Sequence, residues 1–312
     1  MYNFWPNKKK KIRLKFNKVS LEQVEERYKK KINWKYLLYF SSGRSAIVSC
    51  LKSFQLKRDN KVGFSPFSNA CIFRTVGEVS TPIPLNMKEN FNACLLHHQW
   101  GYVQNYKSSN SNIIEDSIDS FFVNKNALFP NNGVFEIVSL SKIFGIPYGA
   151  IVFCKNKASY LNLKKVRNLN KKITISQYIL KFLSNYNLNA KTYWDLGETN
   201  NAYPGNGLND LIIDCLENYD EIINDRLRKI KILEKNLLFK VDPNRLPIII
   251  PLKVNKEKIK KIKKLKKFLF LERHLNTTFN LKTWKLKKFF PLPIHQDVDI
   301  KTIYDIKNII NS

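Results

Sequence analysis

The chain has 312 residues, 44% of them hydrophobic, with 54 Lys and Arg against 25 Asp and Glu and a formal net charge of +29. That length can bury a full core and accommodates two domains. No apolar run reaches the length of a membrane span, and the basic N-terminal stretch, Lys8 to Lys11, lacks the apolar segment of a secretory signal.

The five cysteines, Cys50, Cys71, Cys94, Cys154 and Cys215, are scattered, odd in number and free of any Cys-x-x-Cys pair. This argues for reduced thiols in a cytoplasmic protein, against a disulfide framework and against a zinc site. The basic excess is mostly Lys and travels with Asn, Ile, Phe and Tyr, a composition that AT-rich coding imposes. Its runs, Lys8 to Lys11 and Lys256 to Lys267, stand beside no nucleic-acid module, so nucleic acid is not the expected partner. An anionic small molecule or membrane face stays open.

In chain order, Ser20 to Lys31 reads as a charged helix and Leu37 to Phe40 as a short apolar run. Ala46, Ile47, Cys50, Leu51 and Phe54 then recur at the spacing of a helix with one buried face. Strands are expected at Lys61 to Ser65, Pro82 to Leu85, Ala93 to His97, Asn112 to Glu115, Phe135 to Leu140 and Ala150 to Cys154. Their near-continuous hydrophobicity suits an α/β fold, a mostly parallel central sheet with helices on both faces. A helical region spans Lys155 to Leu196, a loop Asn200 to Asn209, and one long helix Leu208 to Leu238. A strand at Pro247 to Leu252, a helix at Lys256 to Phe268 and a closing helix from Ile300 complete a small C-terminal α+β domain. The expected boundaries are 1–207 and 208–312.

Two strand ends carry the chemistry. Ile113-Ile114-Glu115-Asp116 is an apolar run that delivers a carboxylate, and Val138-Ser139-Leu140-Ser141-Lys142 delivers a lysine flanked by hydroxyls. A lysine amine can form a Schiff base with the aldehyde of pyridoxal phosphate (PLP), and a carboxylate can keep the pyridine nitrogen protonated. Asp116, at the end of the run, is the expected partner rather than Glu115; it also reads as an N-cap. Lys142 lies among Ile137, Val138, Ile143 and Phe144, so an apolar pocket that favours the neutral amine is expected around it. Ser42-Gly43-Arg44-Ser45 opens a helix and offers a phosphate site, though taken alone it reads first as an ordinary serine cap. Ser139 and Ser141 could bind that phosphate or cap their turn.

His97 and His98 close a strand, face opposite sides of it, and so cannot readily chelate together; no metal site is expected. His98 is the candidate for contact with cofactor or substrate, and Tyr148 is a second candidate substrate contact. No Gly-x-Ser-x-Gly elbow points to a serine hydrolase.

In order, Ser42-Gly43-Arg44-Ser45-Ala46, Ser65-Pro66-Phe67, His97 to Gly101, Ile114-Glu115-Asp116, Ser139-Leu140-Ser141-Lys142 and Phe290 to His295 resemble the DegT/StrS family of PLP-dependent sugar aminotransferases, over nearly the whole chain. The Pro147-Tyr148-Gly149 turn after the lysine is similar to a shorter branch of it. The resemblance implies fold type I architecture, with Lys142 as the Schiff-base lysine and Asp116 as the pyridinium partner. It also implies that Gly43, Arg44, Ser45 and Ser139 hold the phosphate. It implies a homodimer whose 200–209 loop reaches the neighbour, and amino transfer from glutamate to a nucleotide-linked keto sugar in polysaccharide or glycan synthesis. Asp119 stands where the family commonly carries Gln or His and would bring a second carboxylate to the ring. Asn69, Ala70 and Cys71 stand where a stacking aromatic is usual. The rival reading is a descendant with altered or no catalysis that binds a glycan precursor or anionic partner.

Overall fold

The computed structural model describes residues 2–6, 19–87, 89–107, 112–183, 189, 198–200, 202–265, 267–268 and 272–312. The Lys8 to Lys11 run and residues 184–188 and 190–196 of the expected helical region lie outside them.

Helix α1 (Leu21–Ile32) starts on a capping box: Ser20 Oγ accepts from the Gln23 N–H and the Gln23 side chain accepts from the Ser20 N–H. Its buried stripe, Leu21, Val24, Tyr28 and Ile32, follows helical spacing. There follow β1 (Leu37–Phe40), α2 (Gly43–Ser53), β2 (Lys61–Phe64), α3 (Ala70–Gly77), β3 (Thr81–Pro84), β4 (Ala93–His97), β5 (Ile113–Asp116), β6 (Ser120–Phe122), β7 (Phe135–Ser139), α4 (Leu140–Ile143), β8 (Ala150–Cys154), α5 (Lys157–Asn168) and α6 (Ile175–Leu183).

Seven strands form the central sheet in the order β1-β8-β7-β5-β4-β2-β3. The pairs β2–β3, β2–β4, β4–β5 and β5–β7 are parallel, whereas β8 runs antiparallel to both β1 and β7. The sheet is therefore mostly parallel, as its hydrophobic runs imply. Alternation in β1 divides the two faces: Leu38 and Phe40 pack with α2, α3 and α5, while Leu37 and Tyr39 pack with α1 and the helices that follow residue 208.

Those helices are α7 (Asn209–Glu217) and α8 (Tyr219–Ile232). One long helix over 208–238 is thus corrected to two. Asn218 leaves helical geometry at φ −88° and ψ 15°, and its side-chain amide donates to the Asp214 carbonyl at 2.8 Å. Such local side-chain bonding competes with helix propagation. The expected strand over 247–252 is likewise two strands, β9 (Arg245–Pro247) on β6 and β10 (Ile249–Pro251) on a later strand. Pro247 and Pro251 lack the N–H that a continuous ladder needs. Helix α9 (Lys256–Lys264) buries Ile259 and Ile262, and β11 (Arg273–Asn276) with β12 (Leu286–Phe289) forms a ribbon not foreseen from the sequence. Strand β13 (Pro291–Pro293) pairs with β10, and α10 (Ile300–Asn311) closes the chain on an Asp299 cap. Ile250, Ile262, Leu292, Ile303 and Ile306 centre a second, smaller core. Among the described residues no helix is long and apolar enough to cross a membrane.

Candidate active site

The parallel strands end on one edge of the sheet, where open α/β sheets bind ligands. His97 at the end of β4 is the cross-strand partner of Asp116 at the end of β5, and the His97 N–H donates to Ser65 Oγ just past β2. Ser139 at the end of β7 lies opposite Ala150, which in turn lies opposite Phe40, so the N-terminus of α2 opens on the same edge.

Asp116 is fully buried. Its Oδ1 accepts a long 3.4 Å bond from the Ile118 N–H, and its Oδ2 has no hydrogen-bond partner. Burial pushes its carboxyl above the usual range, opposed by the nearby His97 and Lys142. Asp119 is nearly buried but richly partnered. Its Oδ1 accepts from Lys142 Nζ at 3.1 Å and from Trp5 Nε1 at 3.4 Å. Its Oδ2 accepts from the Trp100 N–H at 3.3 Å and lies 3.5 Å from His97 Nε2. Trp100 sits in the left-handed region, φ 61°, which aims that N–H. Burial opposes ionisation, yet Lys142 and His97 hold the Asp119 carboxyl well below the usual carboxylate range.

The surroundings of Lys142 depart from the expected apolar pocket. Its amine rests on the Asp119 carboxylate with the Trp5 ring centroid 4.7 Å away. The cause is tertiary: the turn after β5 and the N-terminal segment both converge on α4. Distant elements also hold α4 itself. The Leu140 N–H donates to the Gly149 carbonyl at 3.0 Å, and the Ile143 carbonyl accepts from Arg226 Nη2 and Gln296 Nε2 at 3.1 and 3.2 Å. Arg226 is fully buried, stacks 4.5 Å from the Phe121 ring centroid, and is pulled down to about 10 by burial.

A cleft of about 190 Å³ lies beside α4, bounded by Gly43, Arg44, Ser139, Lys142 and Tyr148, with Cys71 and Ile72 of α3 and Ile118 as its apolar wall. Ser139 and Ser141 hydroxyls are 3.0 Å apart. Ser45 is not on this cleft: fully buried, its hydroxyl is engaged by Ser41, by Ser42 and by the carbonyl of Ser42 as the inner half of a capping box. The cap and the anion-ready helix start are one structure, with Gly43 and Arg44 facing the cleft.

His98 requires correction. It is fully buried on the opposite side of β4 from His97, with Nε2 2.9 Å from Glu115 Oε2 and Nδ1 accepting from the Gln104 N–H at 3.1 Å. Strand alternation turns it away from the ligand edge. His97 is the histidine the site receives. Trp5, Arg226 and Gln296 also escaped the sequence reading; no periodic or motif signal marks them. Among the described residues no cluster of His, Cys, Asp and Glu could hold a metal.

A family model described as "Putative PLP-dependent aminotransferase" matches residues 24–312. The chain belongs to that family. No curated protein sequence matches it. Among solved structures, a Streptococcus pneumoniae protein described as a "Putative sugar aminotransferase", in its PMP form, is similar with a TM-score of 0.64 at 11% identity, over 95% of this chain and 92% of that one. DesV of S. venezuelae, in complex with a ketimine intermediate, gives 0.60 at 12% identity over 94% and 89%. Helicobacter pylori PseC, an aminotransferase involved in the biosynthesis of pseudoaminic acid, gives 0.56 at 13% over 93% and 90%. At such identities these likenesses establish the fold, that of fold type I PLP aminotransferases.

The residues of this PLP-dependent aminotransferase fit its cofactor. The unpartnered Asp116 Oδ2 is an acceptor that a protonated ring nitrogen would satisfy. The start of α2 and Ser139 face the cleft where a phosphate would lie, and Lys142 borders the same space.

Proposed function

We propose that the protein transfers an amino group from glutamate to a nucleotide-linked keto sugar in polysaccharide or glycan synthesis, as a cytoplasmic homodimer. Residues 1–207 would carry the cofactor cradle and 208–312 the smaller unit. The observation that carries the reading is the meeting of Lys142 with Asp119 beside the buried, half-unpartnered Asp116. Its sugar specificity draws support from the neighbour described as a putative sugar aminotransferase.

When bound, PLP supplies an electron sink for charge left on the substrate carbon. Asp116 Oδ2 would hold the proton on the ring nitrogen, which offsets the burial of the carboxylate. Gly43, Arg44 and Ser139 would hold the phosphate at the helix N-terminus. Lys142 Nζ would anchor the cofactor covalently and, once displaced, take up and return the proton at the carbon that bears the nitrogen. Asp119 would keep that amine in place throughout, and the Ile143 carbonyl contacts would hold the backbone beneath it.

The test is amino transfer from glutamate to dTDP- and UDP-linked keto-deoxyhexoses against simple 2-oxo acids, with wild type and Lys142→Ala. Turnover of the nucleotide-linked acceptors, lost in the variant together with borohydride-fixed cofactor, is expected. Turnover of oxo acids alone would overturn the sugar assignment, and activity kept by Lys142→Ala would overturn the role of the lysine.

A further inference from the structure

Residues 2–6 form a strap from the smaller core to the catalytic turn. The Tyr2 hydroxyl meets Asp299, and the Asn3 carbonyl accepts from His295 Nε2 at 3.0 Å. Phe4 packs edge-on against Trp100 with centroids 6.1 Å apart. Pro6 is buried against Gly145, so closely that a Cβ there would lie 2.7 Å from Pro6 Cβ. Anchored on both sides, half-buried Trp5 sets Nε1 3.4 Å from Asp119 Oδ1 and its ring centroid 4.7 Å from Lys142 Nζ.

The Asp119 carboxylate already pairs the lysine amine, so holding that charge does not require an indole. What the indole adds is a large aromatic ring beside that amine, the atom the reacting carbon must approach. The wall on the side of α3 offers Cys71 and Ile72, neither aromatic. The C–H face of a pyranose ring packs well on an aromatic plate, and a Trp is the largest available.

We propose that Trp5 is a substrate-contacting residue whose indole takes the ring of the keto sugar, making the N-terminal strap part of the specificity pocket. This rests on the keto-sugar reading. The Trp5 N–H bond to Asp119 fixes the ring plane, and the Pro6–Gly145 contact fixes its height above Lys142.

The test compares Trp5→Ala, Trp5→Phe and Trp5→Leu with wild type, each loaded with PLP and checked for borohydride-fixed cofactor on Lys142. Three quantities are read: kcat/KM for the keto-deoxyhexose acceptor, kcat/KM for glutamate, and the Kd of the amino-sugar product by calorimetry. Removing the ring should lower acceptor kcat/KM about tenfold more than that of glutamate and weaken product binding similarly, a loss of about 1.4 kcal/mol. Trp5→Phe should recover most of it. Trp5→Leu, which fills volume without a π face, should behave as Trp5→Ala and serves if the alanine variant does not fold. Equal losses for donor and acceptor, or none, would overturn the proposal. Wild type that converts glutamate but aminates no keto sugar would remove the sugar reading and this role with it.

Discussion

Lys142 Nζ donates to Asp119 Oδ1 across 3.1 Å, joining the short helix after β7 to the turn after β5. With burial opposing ionisation and Lys142 and His97 favouring it, the Asp119 carboxyl titrates below its unfolded value. The pair therefore stabilises the fold fully above about pH 4, and the contribution is lost as pH falls below that. Asp119→Asn should flatten the acid limb of stability between about pH 4 and 2, measured by urea unfolding across pH. Parallel limbs in variant and wild type would show that the pair adds nothing.

Asp116 has the opposite sign. Burial raises its carboxyl pKa, so the native state binds more protons than the unfolded chain, and stability falls as pH rises through that window. The penalty is present at neutral pH in the cofactor-free protein. Asp116→Asn should raise the apo-protein Tm by a few degrees, roughly 1 kcal/mol, while lowering amino transfer on the order of a hundredfold. A fall in both would mean the carboxylate is satisfied in the native fold.

His98 is structural. Burial lowers its pKa against the favourable Glu115 contact, so it folds neutral, and its contribution is lost as pH drops below about 6.5. His98→Ala leaves Glu115 buried without its ring partner and should cost about 3 kcal/mol in denaturant unfolding. KM for the acceptor should stay at its wild-type value in the folded fraction. A changed KM at intact stability would return His98 to the substrate site.

Gly145 adopts φ +69°, and an added Cβ would strike Pro6. Gly145→Ala should cost roughly 1–2 kcal/mol from backbone strain alone and displace the strap. Thermal unfolding together with Trp fluorescence checks both effects; an unchanged Tm would show that the turn relaxes freely.

Much of this is legible in the sequence alone. The six strand positions, the helix after Gly43 and the delivery of Asp116 and Lys142 to strand ends follow from local apolar runs and turn residues, which report burial directly. The resemblance in motif order pointed to the right fold. Less was readable where two weak preferences compete. Asn218 splits a helix that periodicity would continue, and two prolines split a strand that hydrophobicity would continue.

Only the tertiary structure decided which histidine reaches the ligand edge, because the register of β4 against β5 places His97 beside Asp116 and turns His98 toward Glu115. It also set Trp5, Asp119 and Arg226 around α4 from positions far apart in the chain. A sequence pattern encodes which residues are buried along one element. Which elements meet at Lys142 depends on how the sheet, the smaller core and the N-terminal strap pack together, and no local spacing carries that information.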